Sequence, residues 1–329
     1  MSTTRFAVSI IIEWYNVTHA ELSRATRMLT ALKSQAIFLY RDVGDSVRLA
    51  PPLDLIIVFD SDHFEEAQIR QLIDGVIGDC ECLTLRYLPV PGADYCKQKN
   101  AGAAIATGEI FIFLDSDLIP ESEWLVAFLS AFKDPNVSVV LGNTFVDWSR
   151  RDVYSKSVAL SWMFPLRDRD DELTIAQTFY ANNVAFRRET FLSRQFPDVP
   201  GLTHVPAELL VERLNHDDVT IWYVGNARAS HPAPNGAFHF LERAISGGRA
   251  RALTAESVTL SLILRWLRHD IGSVRFALKR FIFEGLKVEL RWWQVPAATS
   301  IALTYYTFML FGSLLSVIAP NLVRDRFKL

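Results

Sequence analysis

The stretch GEIFIFLDSDLIPESEWL, residues 108–125, joins a run of apolar residues to two aspartates, Asp115 and Asp117. The run from Ile110 to Leu114 is apolar at every position, which is typical of a strand covered on both faces of a parallel sheet. Pro120 and a further apolar segment follow, and they predict a turn and a new helix. The stretch therefore predicts a core strand whose carboxyl end carries acidic side chains.

The sequence before this strand alternates between strand and helix patterns. Short apolar and β-branched runs predict strands, and apolar residues repeated every three or four positions predict helices. The predicted elements are a strand in FAVSIII (6–12), a helix over about 20–39, a strand in LDLIIVFD (53–60), a helix over about 65–77, a strand in CLTLRYLPV (82–90) and a helix in YCKQKNAGAAIAT (95–107). This alternation predicts an α/β fold with a doubly wound, mostly parallel sheet.

Acidic residues stand where the predicted strands end. Glu13, Asp60, Asp115 and Asp117 all follow apolar runs directly. In open α/β sheets ligands bind beyond the carboxyl ends of the strands, so these side chains are candidates for a binding site. The alternative for each of them is a cap on the next turn or helix, where aspartate is favoured.

Composition limits the classes of function. The chain has 329 residues, 50% of them hydrophobic, and a net charge of -3. This charge argues against nucleic acid as a partner, because nucleic-acid binders usually carry a basic excess. The three cysteines, Cys80, Cys82 and Cys96, cannot all pair within one chain, and their spacing does not suit a zinc site. A reduced, cytosolic compartment is the expectation.

The character of the sequence changes after about residue 250. Between Val274 and Trp293 apolar residues fall on one helical face and Arg280, Glu284, Lys287 and Arg291 on the other, which is typical of a helix on a membrane surface. Residues 295–319 contain no charged residue, and at roughly 1.5 Å per residue they are long enough to cross a bilayer core. A re-entrant hairpin is the alternative, because the tail after the segment is also basic.

We therefore expect a globular domain over residues 1–250, basic amphipathic helices at the membrane interface over 251–294, and a transmembrane or re-entrant segment with a basic tail over 295–329. More Lys and Arg precede the apolar segment than follow it, so the globular domain is expected in the cytoplasm, at a bacterial inner membrane.

Several segments together resemble a known family. VSIIIEWYN, IIVFDSD, KQKNAGAAIATGEIFIFLDSD and FYANNVAFRRETF occur in the order and spacing of the inverting family 2 glycosyltransferases, over roughly residues 5–235. The resemblance implies a GT-A fold, a nucleoside-diphosphate sugar as donor, UDP-linked, and Mn²⁺ or Mg²⁺ as cofactor. It implies transfer of the sugar to an acceptor with inversion at the anomeric carbon.

The D-x-D segment is the expected metal site. A hard dication held by carboxylate oxygens can neutralise a departing diphosphate, and Asp117, furthest out on the strand end, is the predicted ligand. Asp115 is expected to help hold the metal, to face the ribose, or to support the site from behind. His231, after the last predicted core strand, is expected against the metal or diphosphate, with a structural histidine as the alternative.

The resemblance also implies a donor pocket. Asp60 takes the position that reads the uracil ring. Lys97 and Lys99 precede Asn100 on a helix, where they would meet the uracil edge or the diphosphate, or form an exposed helix face. Trp14 and Tyr15, after Glu13, would stack on the base or fill the crevice. Asn183, beside Asn182, would line the sugar pocket with its backbone and side chain, with a structural asparagine in a twisted strand as the alternative.

The general base is the weakest match. Family members place an Asp at the position occupied here by Ala207, in VPAELLVERL, and Glu208 falls one residue later. Glu208 is the predicted base, and Asp198 is the second candidate. The alternative for Glu208 is an acidic residue in the first turn that only stabilises the helix through its dipole. Arg249, with neighbouring arginines, is expected to close over the diphosphate or to contact anionic lipid headgroups.

The sequence thus predicts a metal-dependent enzyme that transfers a sugar to a lipid-linked or surface-polysaccharide acceptor at the membrane. Two alternatives stay open: a polyprenyl-phosphate sugar synthase, whose acceptor needs little base catalysis, and a catalytically silent sugar-nucleotide-binding scaffold. Membrane lipids are expected partners. Further candidates are a second copy of the chain and other envelope-biosynthesis proteins.

Overall fold

The computed structural model describes residues 4–18, 20–41, 47–50, 52–164, 166, 172–199, 205–255 and 257–322. The chain forms two compact units, Met1–Thr144 with Arg167–His231, and Phe145–Leu166 with Pro232–Leu329. The predicted domain boundary at residue 250 lies within a helix of the second unit, and the predicted basic tail, from residue 323 onward, lies outside the described residues.

The first unit alternates strands and helices, as the sequence predicts. Its elements are β1 (Thr4–Phe6), β2 (Val8–Glu13), α1 (Leu22–Tyr40), β3 (Val47–Leu49), β4 (Leu53–Phe59), α2 (Glu66–Ile77), β5 (Leu83–Pro89), α3 (Tyr95–Ile105), β6 (Ile110–Asp115), β7 (Ile119–Pro120), α4 (Trp124–Ala131), β8 (Val139–Val146), and, after α5 (Val153–Ser161) of the second unit, β9 (Thr174–Ala176), β10 (Asn183–Arg187), α6 (Arg188–Leu192), α7 (Val205–His216) and β11 (Ile221–His231).

The main sheet has the strand order β5-β4-β2-β6-β10-β8-β11-β7, with β9 paired to β11. The strands β5, β4, β2 and β6 are parallel, whereas β10 is antiparallel to both β6 and β8. The predicted α/β fold with a mostly parallel sheet is therefore confirmed. In register, Glu13 of β2 pairs with Val58 of β4 on one side and with Asp115 of β6 on the other, so the strand-end acids share one edge.

Apolar layers cover both faces of this sheet. Every residue of β2, β4 and β6 is buried, as expected for parallel strands between helices. Ile10 and Ile12 pack in the cluster that includes the buried faces of α1, α2 and α4, while Ile11 packs in the cluster that includes α3 and α7. A Cβ at Gly102 of α3 would lie 2.5 Å from Ile11 Cγ2, so α3 needs a residue without a side chain to approach the sheet.

The second unit is helical in the part of the chain that the structure describes. It contains α5, α8 (Gly236–Leu253), α9 (Leu260–Phe283) and α10 (Val295–Ile318). A Cβ at Gly248 would collide with the Met309 carbonyl, and one at Gly312 with the Ile245 backbone, so glycines let α8 and α10 pack backbone to backbone. The segment Trp292–Ile318, with mean hydropathy 1.8, is long and apolar enough to cross a membrane.

The helix predicted from Val274 to Trp293 begins earlier in the structure, at Leu260, and also ends earlier. The α-helix ends at Phe283, a 3₁₀ turn follows at Gly285–Val288, and Glu289 adopts a left-handed conformation with φ 57°. Arg280, predicted on the polar face, is buried and donates to the Leu160 carbonyl at 2.7 Å. The break rotates the later side chains, so Leu290 is buried whereas Leu286, predicted on the same face, is 88% exposed.

Candidate active site

The carboxyl edge of the parallel strands brings the predicted acidic residues together. Glu13 ends β2 and Asp115 ends β6, in register with each other. Asp117 lies two residues beyond Asp115, in the turn that precedes β7. Side chains alternate along a strand, so the two aspartates of the D-x-D segment start from the same side of the chain but at different depths.

Asp115 is enclosed by hydrogen-bond donors. Its Oδ1 accepts from Lys99 Nζ at 2.7 Å and from the Tyr95 hydroxyl at 2.8 Å, and its Oδ2 accepts from Asn16 Nδ2 at 2.9 Å. The side chain is almost fully buried. Of the predicted roles, support of the site from behind fits these contacts.

Lys99 occupies neither of its predicted places. Its side chain is 0% exposed, with Nζ on the Asp115 carboxylate and 4.5 Å from the centre of the Tyr95 ring. It therefore neither reaches a bound nucleotide nor forms an exposed helix face. A buried charge is tolerated when it is paired in this way.

Glu13 organises the turn after β2. Its Oε2 accepts from the Tyr15 amide at 2.7 Å and its Oε1 from Asn16 Nδ2 at 2.8 Å. Burial, together with the Asp115 carboxylate, raises the pKa of Glu13 well above its ordinary value, against the lowering effect of Lys99. Glu13 is fully buried, so it contributes to the donor site through Asn16, which bridges Glu13 and Asp115.

Asp117 faces the histidine predicted to share its role. Asp117 Oδ2 lies 3.7 Å from His231 Nε2, at the end of β11. The described residues contain no group of three or more His, Cys, Asp or Glu side chains placed to hold a metal. A carboxylate and an imidazole still fit a dication whose remaining ligands are water and substrate phosphate, as is usual at nucleotide sites. Mg²⁺ is usually bound through oxygen alone, so an imidazole ligand would suit Mn²⁺ better than Mg²⁺.

Asp60 lies at the end of β4 and closes the turn that follows. Its carboxylate accepts from the amides of Asp62 at 2.9 Å and Gly92 at 2.8 Å, and His63 Nδ1 lies 2.6 Å away. Burial alone would raise the pKa of Asp60, but these donors together hold it below its ordinary value. The residue is ionised and fixed, which is compatible with both turn formation and the predicted contact with the base.

Of the two aromatic residues after Glu13, one fills the core and the other remains a candidate for stacking on a base. Trp14 is 2% exposed and packs in the core cluster, with its amide donating to the Val58 carbonyl at 2.8 Å. It fills the interior and cannot stack on a base. Tyr15 is partly buried beside the second cluster, so it remains the candidate for stacking.

The start of α3 connects to the loop after α6. Lys97 Nζ lies 3.3 Å from Asp198 Oδ1, and Asn100 donates to the Phe196 carbonyl at 2.7 Å. The Asn100 side chain therefore binds the loop after α6 and not a ligand. Asp198 is mostly exposed and its carboxylate faces Lys97, whose charge it balances.

The predicted sugar-pocket asparagine is part of the core. Asn183 is 0% exposed, accepts from Trp124 Nε1 at 2.8 Å and donates to the Ala227 carbonyl at 3.1 Å. Of its predicted roles, the buried side chain fits the structural alternative and not the lining of a pocket. The neighbouring Asn182 carbonyl accepts from the Asp115 amide at 3.1 Å, so this strand supports the D-x-D segment through its backbone.

The helix α7 places the candidate base next to a buried alanine. Ala207 is 8% exposed and packs in the core cluster, whereas Glu208, in the first turn, is only partly covered. Partial burial, and the nearby Glu212 carboxylate, raise the pKa of Glu208 above its ordinary value. Arg249 belongs to α8 of the other unit, and its predicted role stays a prediction.

Three residues of the site carry no role in the sequence-based prediction. Asn16 and Tyr95 hold Asp115 in place, and Arg24 of α1 donates to the backbone beside both Asp117 and His231. Asn16 belongs to the VSIIIEWYN segment, so its position was within reach of sequence analysis. Arg24 lies in an ordinary helical pattern, and its contacts depend on the tertiary fold.

Comparison with known proteins agrees with this geometry. The sequence matches the model of Glycosyl transferase family 2 over residues 9–194, more than half of the chain. No protein of curated function matches it in sequence.

A solved glycosyltransferase structure shares the fold. The mannosyltransferase PcManGT from Pyrobaculum calidifontis, in complex with GDP-Man and Mn²⁺, is 17% identical, with 97% of this chain and 89% of that chain covered and a TM-score of 0.53. TarS 1-349 from S. aureus, in complex with UDP-GlcNAc, is 13% identical, with 95% and 92% covered and a TM-score of 0.49. The family match, on a GT-A fold with acidic residues gathered at the carboxyl edge of its sheet, shows that the chain belongs to glycosyltransferase family 2.

Proposed function

We propose that the protein is an inverting glycosyltransferase that uses a UDP-linked sugar and a divalent metal. The observation that carries the proposal is the pairing of Asp117 and His231 at the carboxyl edge of the sheet, 3.7 Å apart, in front of the Asp115 network. The pair offers two ligands to a dication and leaves its other positions to water and the diphosphate. Mn²⁺ is the proposed ion.

Different residues would bind different parts of the donor. Asp117 and His231 would hold the ion, which when bound supplies positive charge against the charge of the departing diphosphate. Asp60, ionised and fixed by its turn, would accept from the uracil ring, and Tyr15 would stack on it. Asp115, Glu13 and Lys99 keep this edge rigid, so the site is preorganised before the donor binds.

Glu208 is the proposed base for an acceptor hydroxyl. A general base works best when its pKa is near the operating pH, and the raised pKa of Glu208 moves it in that direction. Asp198 is the reserve candidate, although its contact with Lys97 gives it a charge-balancing role as well.

The second unit supports action at a membrane. In addition to the apolar Trp292–Ile318 segment, residues 276–293 expose large apolar side chains beside Lys and Arg. We name these exposed apolar residues the interfacial set: Phe276, Ile282, Phe283, Leu286, Trp292 and Trp293. Aromatic and basic residues together are typical of the bilayer interface. A lipid-linked or surface-polysaccharide acceptor and a cytoplasmic catalytic unit fit such attachment, because binding to the bilayer raises the effective acceptor concentration.

A polyprenyl-phosphate sugar synthase is the second candidate, and the buried Ala207 favours it. An acceptor that is already a phosphate anion does not need a carboxylate at this position. Two parallel incubations with Mn²⁺ and a set of UDP-sugars, one with polyprenyl phosphate and one with lipid-linked glycans as acceptor, separate the candidates when the products are analysed by mass spectrometry. A glycosyl polyprenyl phosphate identifies the synthase, whereas a product formed only on a sugar hydroxyl supports the first proposal. Nucleotide binding without any product would indicate the silent scaffold.

A further inference from the structure

Arg24 joins the two segments that carry the candidate metal ligands. Its Nε donates to the Asp117 carbonyl at 2.9 Å, and its Nη2 donates to the Ser230 carbonyl at 2.7 Å and to the Ser230 hydroxyl at 3.2 Å. Asp117 is itself a candidate ligand, and Ser230 directly precedes the other, His231. The Arg24 side chain therefore donates both to the backbone of Asp117 and to the backbone of the residue before His231.

The sheet does not hold these two segments together at the level of the ligands. The pairing of β7 with β11 ends at Ile119 and Ser230. Asp117 lies two residues before Ile119, and His231 lies one residue after Ser230, so both side chains project from backbone at or beyond the last ladder pair. Arg24 donates hydrogen bonds to both segments at this end of the ladder.

The chemistry of the side chain suits this task. Arg24 is 7% exposed and lies in the first turn of α1, whose buried face packs against the sheet. A guanidinium is planar and presents its donors in a fixed fork, so it sets the distance and angle between two acceptors, which the flexible ammonium of lysine does not. Charge-assisted hydrogen bonds to buried carbonyls are also among the stronger ones.

We infer that Arg24 is a positioning residue that fixes the spacing of Asp117 and His231 for one dication. The inference rests on the proposed metal site. Arg24 also brings a positive charge close to the ion, which by itself disfavours a cation. If spacing matters more than charge, removal of Arg24 weakens metal binding, and if charge matters more, removal strengthens it. The two effects therefore predict opposite changes in metal affinity when Arg24 is removed.

The test uses the full chain in detergent, with UDP present, and follows free and bound Mn²⁺ by electron paramagnetic resonance. Arg24→Lys keeps the charge and removes the fork, Arg24→Met removes both, and Arg27→Met is the matched control, since Arg27 is exposed on the same helix. We expect Kd for Mn²⁺ to rise at least tenfold in both Arg24 variants and to stay within twofold in the control. The spectrum of bound Mn²⁺ should also change in Arg24→Lys.

Metal affinity within twofold of wild type in Arg24→Lys, or tighter binding in Arg24→Met, would overturn the inference. A lower melting temperature with unchanged Mn²⁺ affinity would do the same, because it would show a role in folding alone. If Arg24→Met does not fold, Arg24→Lys decides. Failure of the wild type to bind Mn²⁺ with UDP would instead contradict the metal site itself, so the two failures are distinguishable.

Discussion

Lys99 Nζ lies 2.7 Å from Asp115 Oδ1, and neither side chain is accessible to ligand or solvent to any useful extent. The pair lies directly behind the D-x-D turn and connects α3 to the end of β6. The buried position of Lys99 follows from this pair, because the cation neutralises an aspartate that is buried at the start of the turn.

Removal of this lysine should therefore destabilise the fold. Lys99→Met leaves the Asp115 carboxylate buried without its cation, at an expected cost of about 3–5 kcal/mol in the free energy of unfolding. Lys97→Met, two residues earlier and partly exposed, is the control and should change it by less than about 0.5 kcal/mol. Urea unfolding of both variants provides the measurement. Equal stability of the two variants would contradict the assigned role of the pair.

The glycine in α3 gives a second prediction about the fold. Gly102→Ala places a Cβ within 2.5 Å of Ile11 Cγ2, and the resulting strain should cost about 1–3 kcal/mol. Gly75→Ala, in α2 with open space around it, should instead stabilise the protein by up to about 1 kcal/mol because alanine favours helix. Thermal unfolding compares the two, and opposite shifts in melting temperature are expected. Similar shifts would argue against the close contact between α3 and β2.

Glu208→Gln tests the proposed base. We expect kcat to fall at least a hundredfold while donor affinity stays the same, because the change affects proton removal and not binding. Glu212→Gln, one turn later, is the matched control. A fall in kcat and in donor affinity by the same factor would indicate a structural role, and unchanged kcat would favour a phosphate acceptor.

The pH dependence of the wild type gives an independent check on Glu208. A base must be deprotonated, so activity should be lost as the pH falls through its pKa. Since burial raises that pKa, the acid limb of kcat should lie above about 4.3, the ordinary glutamate value. The limb should be absent from the residual activity of Glu208→Gln. A limb that persists in this variant assigns the titration to another group.

Membrane attachment can be tested at the interfacial set. Burial of a Phe or Leu side chain contributes about 1.5–3 kcal/mol, so Phe283→Ser combined with Leu286→Ser should weaken binding to vesicles that contain anionic lipid by more than tenfold. Leu22→Ser combined with Ile175→Ser, at exposed sites of the first unit, is the control. Flotation of the protein with vesicles measures binding. Undiminished binding would assign the anchor to α10.

The sequence predicted the fold class because strand and helix periodicity is local and strong. β2, β4, β5 and β6 all lie where apolar runs indicate them. The antiparallel insertion of β10 between β6 and β8 could not be predicted in this way, since periodicity does not determine which strands pair. The helix break after Phe283 was missed because the pattern from Val274 to Trp293 fits one helical face, although Gly285 and the left-handed Glu289 interrupt it.

Within the site, the sequence located residues but not always the direction of their side chains. It placed Asp117 and His231 together, yet it could not decide between ligand contact and a structural role for Trp14 and Asn183, which are buried in the core. Polar side chains such as Asn183 and Lys99 look functional in sequence, and only their partners, Trp124 and Asp115, show that they support the structure. Arg24 gave no signal because its acceptors are backbone atoms of segments 93 and 206 residues away.

The central claim is that Asp117 and His231 share one dication at the end of β6. Crystals grown with UDP and Mn²⁺ and measured at the manganese absorption edge test it most directly. The account predicts an anomalous peak within bonding distance of both Asp117 and His231 and next to the diphosphate. A peak that contacts neither residue, or clear density for UDP in this cleft without manganese, would contradict it.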